Sequence, residues 1–258
     1  MKKTIVAFVQ TFILAGAINV AQAEDKVVFA IAQEPYPPFS FKNSSGVWSG
    51  FEPALITEVC KRMQAQCSLK ELAWDGLIPA LRSKQADVIM NSMSITPERE
   101  QVVDFTDPYI ETPALWVGDA ALELTPTPEG LKGKTIGVQG STSHSAYVKQ
   151  YFGEGSTLRY YNDQDDLLAD LRSGRIDIML ADKISVEPML ALPDNSMLVS
   201  KGVAPADPLF GKGIGAAVRK GDDALREKLN QALKAVREDG TYDAIGARYF
   251  KSSVSASQ

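Results

Sequence analysis

Short β-rich runs alternate with amphipathic segments along this chain, and the alternation occurs twice, which constrains the fold more than any other feature. The first series predicts strands over 27–31, 68–72 and 87–90, helices over 52–64 and 76–83, and a short helix from Pro97. The second predicts strands over 135–138, 157–160 and 176–180, helices over 143–152, 163–173 and 183–190, and a long amphipathic helix over 222–239. Such alternation indicates βα units around largely parallel sheets. Between the series, Pro108-Tyr109-Ile110-Glu111-Thr112-Pro113 leads into a strand-like 114–117. A second passage, 202–213, leads into a strand-like 214–218, after which the last helices return to the first unit. Two α/β lobes joined by two connections are expected: residues 24–111 and 210–258 in one, 114–205 in the other. The hinges would lie at 111–114 and 202–213, about which the lobes open and close.

Lys2 and Lys3 precede an apolar stretch from Ile5 to about Val20 that ends at Ala21-Gln22-Ala23. A basic region, an apolar segment and a small-residue site make residues 1–23 a secretory signal peptide. Gln10, Thr11 and Asn19 interrupt the segment, which is short for a spanning helix of roughly 20 residues. The mature chain then has about 235 residues, enough for one large domain or two small ones. Its net charge of −5 without a basic cluster excludes a nucleic-acid binder. Cys60 and Cys67 are the only cysteines, and in an oxidising compartment such a pair is expected to bridge the helix end to the next strand. Two thiols without nearby histidines cannot complete a tetrahedral shell, so neither a metal nor a cofactor is expected.

Three segments follow predicted strands, where such sheets place ligands. In Asn91-Ser92-Met93-Ser94-Ile95-Thr96-Pro97-Glu98-Arg99, Thr96 suits a helix N-cap and Pro97 the first helical position. Arg99 opposes the helix dipole there; an anion gripped by its guanidinium would resolve the conflict, as would a surface pairing with Glu98. Gly137-Val138-Gln139-Gly140-Ser141-Thr142 opens a helix whose N-terminal amides could hold an anion, or is simply a turn. Ile178-Met179-Leu180-Ala181-Asp182 ends a buried strand on a carboxylate that either caps the next helix or binds a cation. Together, Arg99 and Asp182 match the two ends of a zwitterion. Tyr36 and Trp74, each following a strand, could sandwich an alkyl or guanidinium group.

Gly50-Phe51-Glu52, Cys60-Lys61-Arg62-Met63, Trp74-Asp75-Gly76-Leu77-Ile78-Pro79 and Met93-Ser94-Ile95-Thr96-Pro97-Glu98-Arg99 resemble the extracytoplasmic amino-acid-binding proteins of ABC transporters. The similar branch binds lysine/arginine/ornithine, histidine or opines. Val138-Gln139-Gly140-Ser141-Thr142, Ala181-Asp182 and Glu238-Asp239-Gly240-Thr241-Tyr242 extend the resemblance over nearly the whole mature chain. It implies a bilobal type II periplasmic-binding-protein fold and a periplasmic monomer that passes an amino-acid-like ligand to membrane permease subunits. It further implies that Arg99 binds the ligand carboxylate with backbone amides near Ser94 and Thr142, beside Ser141. Asp182, the Ser94 hydroxyl and the Ser92 carbonyl would take the α-ammonium, and Tyr36 and Trp74 would flank the side chain. Gln33 stands where cationic-ligand relatives carry an acid, which speaks against lysine or ornithine; neighbouring Glu34 is expected to point the opposite way. Asn91 adds a polar group that could read an amide, imidazole, guanidinium or opine extension.

Two other function classes stay open. The same fold hosts a cyclohexadienyl dehydratase, for which Glu34 or Asp182 could supply acid or base groups. No G-x-S-x-G or H-E-x-x-H pattern occurs, and His144, the one histidine, is expected at an exposed or rim position. A ligand-binding sensory subunit is the other alternative.

Overall fold

Two five-stranded sheets organise residues 25–250, which the computed structural model describes; the expected leader lies outside these residues. The chain begins with β1 (Asp25–Ala32), a hairpin of β2 (Phe41–Lys42) and β3 (Trp48–Ser49), α1 (Phe51–Met63) and β4 (Ala65–Leu72). It continues through α2 (Leu77–Arg82), β5 (Val88–Ile89), α3 (Pro97–Glu100) and β6 (Val103–Phe105). The second half contains β7 (Ala114–Asp119), β8 (Thr135–Gln139), α4 (Ser143–Phe152), β9 (Thr157–Tyr161) and α5 (Gln164–Arg172). It closes with β10 (Ile178–Asp182), α6 (Lys183–Leu190) and β11 (Leu198–Val203). The chain then returns through β12 (Ala217–Arg219), α7 (Asp223–Glu238) and α8 (Thr241–Tyr249).

The first sheet runs β4-β1-β5-β12-β6 and the second, read from its far edge, β9-β8-β10-β7-β11. The order is the same in both: second strand, first, third, entering strand, last. Four strands of each sheet share a direction, and only β12 and β7 run against them. Those two are the strands laid down just after the chain crosses between sheets. Ala114 pairs with Asp182 at the carboxyl end of β10, and Ala217 with Ile89 at that of β5. A crossing therefore delivers the chain to the carboxyl ends, and the strand it enters must run away from them.

Each sheet is buried on both faces. Phe29, Phe51, Leu55, Val59, Leu229 and Val236 join α1 and α7 to one face of the first sheet, and Leu77, Leu81, Ile89 and Val103 cover the other. In β7 successive residues alternate between two cores: Trp116 packs with Ile136 and Phe152, whereas Leu115 and Val117 pack with Leu167 and Met179.

Several elements depart from their expected bounds. β4 begins at Ala65 because Gln64, in the left-handed region at φ 52°, stops α1 at once. The expected strand at 214–218 keeps only Ala217–Arg219, since Ile214 makes isolated bridges to Ser94 and Ile110 instead. The hairpin, β6, β11 and α8 had no periodic signal strong enough to announce them. Cys60, in the last turn of α1, is disulfide-bonded to Cys67 in β4, with Cα atoms 6.2 Å apart.

Candidate functional site

The carboxyl ends of β1, β5, β8 and β10 converge on a cavity between the two halves, whose wall includes Tyr36, Trp74, Ser94, Arg99, Thr142 and Asp182. Local chemistry places Arg99. Thr96 caps α3 by accepting the Arg99 amide at 3.3 Å, and Pro97 starts the helix, so the arginine side chain leaves the first turn toward the cleft. Its guanidinium donates to Ser94 O at 2.9 Å and Ser141 O at 3.0 Å and lies 5.6 Å from the Trp74 ring centroid. No ion pair among the described residues includes it, so the Glu98 pairing does not form. Burial lowers its pKa to about 10, opposed by the charges of Glu98 and Asp182. It stays cationic at neutral pH, with donors left over from a set of five.

Asp182 faces it from the second half. It holds the N-cap position of α6 yet makes no capping bond. Instead its Oδ2 accepts the Tyr36 hydroxyl at 2.7 Å, and its Oδ1 lies 3.6 Å from His144 Nε2. The expectation for His144 is corrected here: it is buried in the cleft wall, its ring 5.8 Å from that of Phe210. Burial lowers its pKa, the Asp182 charge raises it and Arg99 lowers it further. Position two of α4 puts it inside, because the helix enters the cleft end-on.

Further bonds span the halves. Trp74 Nε1 donates to Ser141 O at 3.2 Å, the Ser94 and Ser143 hydroxyls are 3.3 Å apart, and the Ser185 hydroxyl donates to Pro37 O at 2.9 Å. Ser141, at φ 57°, turns its carbonyl toward Trp74 and Arg99 and lies outside this cavity, lining the adjoining one with Gln33 and Glu34.

Three other expectations change. The Thr142 amide is engaged: it donates to Ser145 Oγ at 3.1 Å while Thr142 Oγ1 accepts the Ser145 amide at 3.1 Å, a reciprocal capping box. Donors of this helix end fall to its first turn, at Ser143 and His144. Asn91 lines the cavity, but its Oδ1 accepts the Ala32 amide at 2.8 Å, so that oxygen anchors the end of β1. The largest change is at 33 and 34. Gln33 is exposed and donates to Glu34 Oε1 at 3.2 Å, whereas Glu34 lines the cavity and its Oε2 is buried without a partner among the described residues. Residues 33 and 34 form a bend beyond the end of β1, so strand alternation does not govern them, and Ala32, Glu34, Pro35 and Tyr36 all line the cavity.

Gln139 and Gln164 also line the cavity and were not foreseen. Gln164 Nε2 donates to Gln139 Oε1 at 3.1 Å, and Gln139 Nε2 to Asn162 O at 2.9 Å. Tyr36 stacks on Phe39 with ring centroids 5.6 Å apart and planes at 11°, which stiffens the aromatic wall.

The family model for bacterial extracellular solute-binding proteins, family 3, matches residues 28–252. The L-arginine-binding protein of Pseudomonas aeruginosa is 38% identical over 239 residues, covering 90% of this chain and 91% of that one. The histidine-binding periplasmic protein of Escherichia coli is 36% identical over 97% of both. Among solved structures, an ancestral arginine-binding protein bound to arginine superposes with a TM-score of 0.82 at 31% identity, covering 89% of this chain and all of that one.

Proposed function

From a chain that belongs to the bacterial extracellular solute-binding proteins, family 3, we propose the capture of an α-amino acid with a cationic side chain, for delivery to the permease subunits of an ABC transporter. The observation that carries this reading is the charge pattern of one cavity: a guanidinium at Arg99 and carboxylates at Asp182 and Glu34. Arg99, with the first-turn amides of α4, takes the ligand carboxylate through parallel hydrogen bonds. Asp182, with the Ser94 hydroxyl and the Ser92 carbonyl, takes the α-ammonium. Tyr36 and Trp74 flank the side chain, and Glu34, whose Oε2 lacks a partner, takes its cationic end. An inward Glu34 removes the objection that an exposed Gln33 raised against lysine or ornithine. Arginine and histidine in the relatives' names support the same ligand class.

Capture works by closure of two lobes, 24–111 with 210–258 and 114–205. The separate sheets and the two crossings support this division. Gly202, Gly211 and Gly213, all at positive φ, lie in the second hinge, where a larger residue at Gly211 would put its Cβ 2.2 Å from Ile95 O. Neither lobe alone satisfies both ends of a zwitterion, so binding energy is completed only on closing. The leader and the periplasmic relative support export to the periplasm, where a monomer suffices. Relatives named as binding proteins favour capture without turnover over dehydratase-like chemistry.

The test is a thermal-shift and scattering panel of arginine, lysine, ornithine, histidine, glutamine, citrulline and an opine. A ligand at a hundred times its Kd should stabilise the fold by about 2.7 kcal/mol. Cationic amino acids should do so and shrink the radius of gyration. Stabilisation by neutral or acidic ligands alone, or binding without compaction, would overturn the reading.

A further inference from the structure

Behind the cleft wall stands a carboxylate that ligand contact does not explain. Glu52, in the first turn of α1, is fully buried. Its Oε1 accepts the Ser92 amide at 2.5 Å, the Ser92 hydroxyl at 3.2 Å and the Tyr109 hydroxyl at 2.5 Å, while its Oε2 has no partner among the described residues. Tyr109 belongs to the first crossing; its amide donates to Ile214 O at 2.8 Å and its carbonyl accepts the Tyr242 hydroxyl at 2.5 Å. One side chain thus ties α1 to the cleft wall and to the passage between halves. Ser92 lines the cavity at φ 48°, a region that residues with a Cβ avoid, and its two bonds to Glu52 hold it there.

We propose that Glu52 is a positioning residue whose proton is coupled to ligand capture: it fixes the Ser92 turn, and it ionises as the ligand's ammonium settles between Ser92 and Asp182. This rests on the ligand being an amino acid. Burial raises the Glu52 pKa to about 7; the bonds from Tyr109 and Ser92 pull it down, and the Asp182 charge adds to the rise. These groups, with Tyr242 behind Tyr109, are what the carboxyl faces. An incoming ammonium offsets Asp182, favours the carboxylate, and sends the proton to solvent. The carboxylate in turn makes stronger, charge-assisted bonds to Ser92, so the ligand and the turn reinforce each other.

An ammonium that favours the ionised form about tenfold releases about 0.4 proton per ligand at pH 7 and tightens binding about fivefold between pH 6 and pH 8. Calorimetry with L-arginine in two buffers of different ionisation enthalpy counts the protons for wild type, Glu52→Gln, Glu52→Asp and His144→Gln. Release should persist in wild type and Glu52→Asp and vanish in Glu52→Gln. It should survive His144→Gln, whatever that change does to affinity. Undiminished release from Glu52→Gln, or loss of release in His144→Gln, overturns the proposal. Should Glu52→Gln not fold, the wild-type count decides, since zero release at pH 7 is incompatible with it. If no amino acid binds the wild type, the functional reading falls as well; if arginine binds without Glu52-dependent release, only this inference falls.

Discussion

Replacing Glu34 with glutamine separates the two chemistries that the far wall of the cavity could read. Glutamine keeps the length and an acceptor oxygen but removes the charge. Among the described residues the native carboxylate accepts a bond from Gln33 Nε2 alone, at the exposed edge, whereas Oε2 is buried without a partner there. A hydrogen bond to a charged partner is worth about 1.5–3 kcal/mol, so arginine should bind roughly 10- to 150-fold more weakly to Glu34→Gln. Citrulline, which matches arginine in shape without the charge, should weaken by no more than about fivefold, because it keeps a bond to the glutamine oxygen and loses only the difference between a charge-assisted and a neutral bond, about 1 kcal/mol. The unliganded protein should melt no lower than wild type, since neutralising an unpartnered buried oxygen relieves a desolvation penalty. Titration calorimetry of both ligands against both proteins measures the four affinities. Equal weakening of arginine and citrulline would mean that Glu34 shapes the wall without reading charge. No weakening of either would remove it from the site.

Arg99→Ala should weaken capture of every α-amino acid tested by about 3–5 kcal/mol, the range for losing one partner of a buried charge pair, while circular dichroism stays native. Denatured, unreduced protein should show no titratable thiol, and the Cys60→Ser/Cys67→Ser double variant should lose about 2.5 kcal/mol in urea unfolding, as the short closed loop implies. Glu52 titrates near 7 in the folded chain against 4.5 ordinarily, so between those values the folded state holds a proton that the unfolded state has released. Stability should therefore fall by about 3 kcal/mol as pH rises from 4.5 through 7, with no such penalty below 4.5. Urea midpoints at pH 5 and pH 8 should show that fall in wild type and not in Glu52→Gln.

Much of the architecture was legible from local rules. The cap at Thr96 accepts the amide three residues on, as its residue type predicts. Helices at 143–152 and 183–190 match their predicted bounds, because amphipathic spacing and capping are decided within a few residues. The weak elements escaped notice for the same reason. β2 and β3 are two residues each and pair only with one another, and β6, three residues long, owes its pairing to the distant β12.

By itself the sequence determined the twofold βα grammar, the disulfide, and a cation at 99 with an anion at 182, since each depends on residue type and near neighbours. Tertiary structure alone decided what those residues meet. Tyr36 reaches Asp182 across 146 positions, Ser94 reaches Ser143 across 49, and Glu52 reaches Ser92 across 40. The bend after β1 set Glu34 in the cavity wall and left Gln33 exposed, and the entry of α4 at the cleft buried His144. The physical reason is common to both: local periodicity states how a side chain relates to its own element, but which side of that element meets the opposite half is settled only when the two sheets pack.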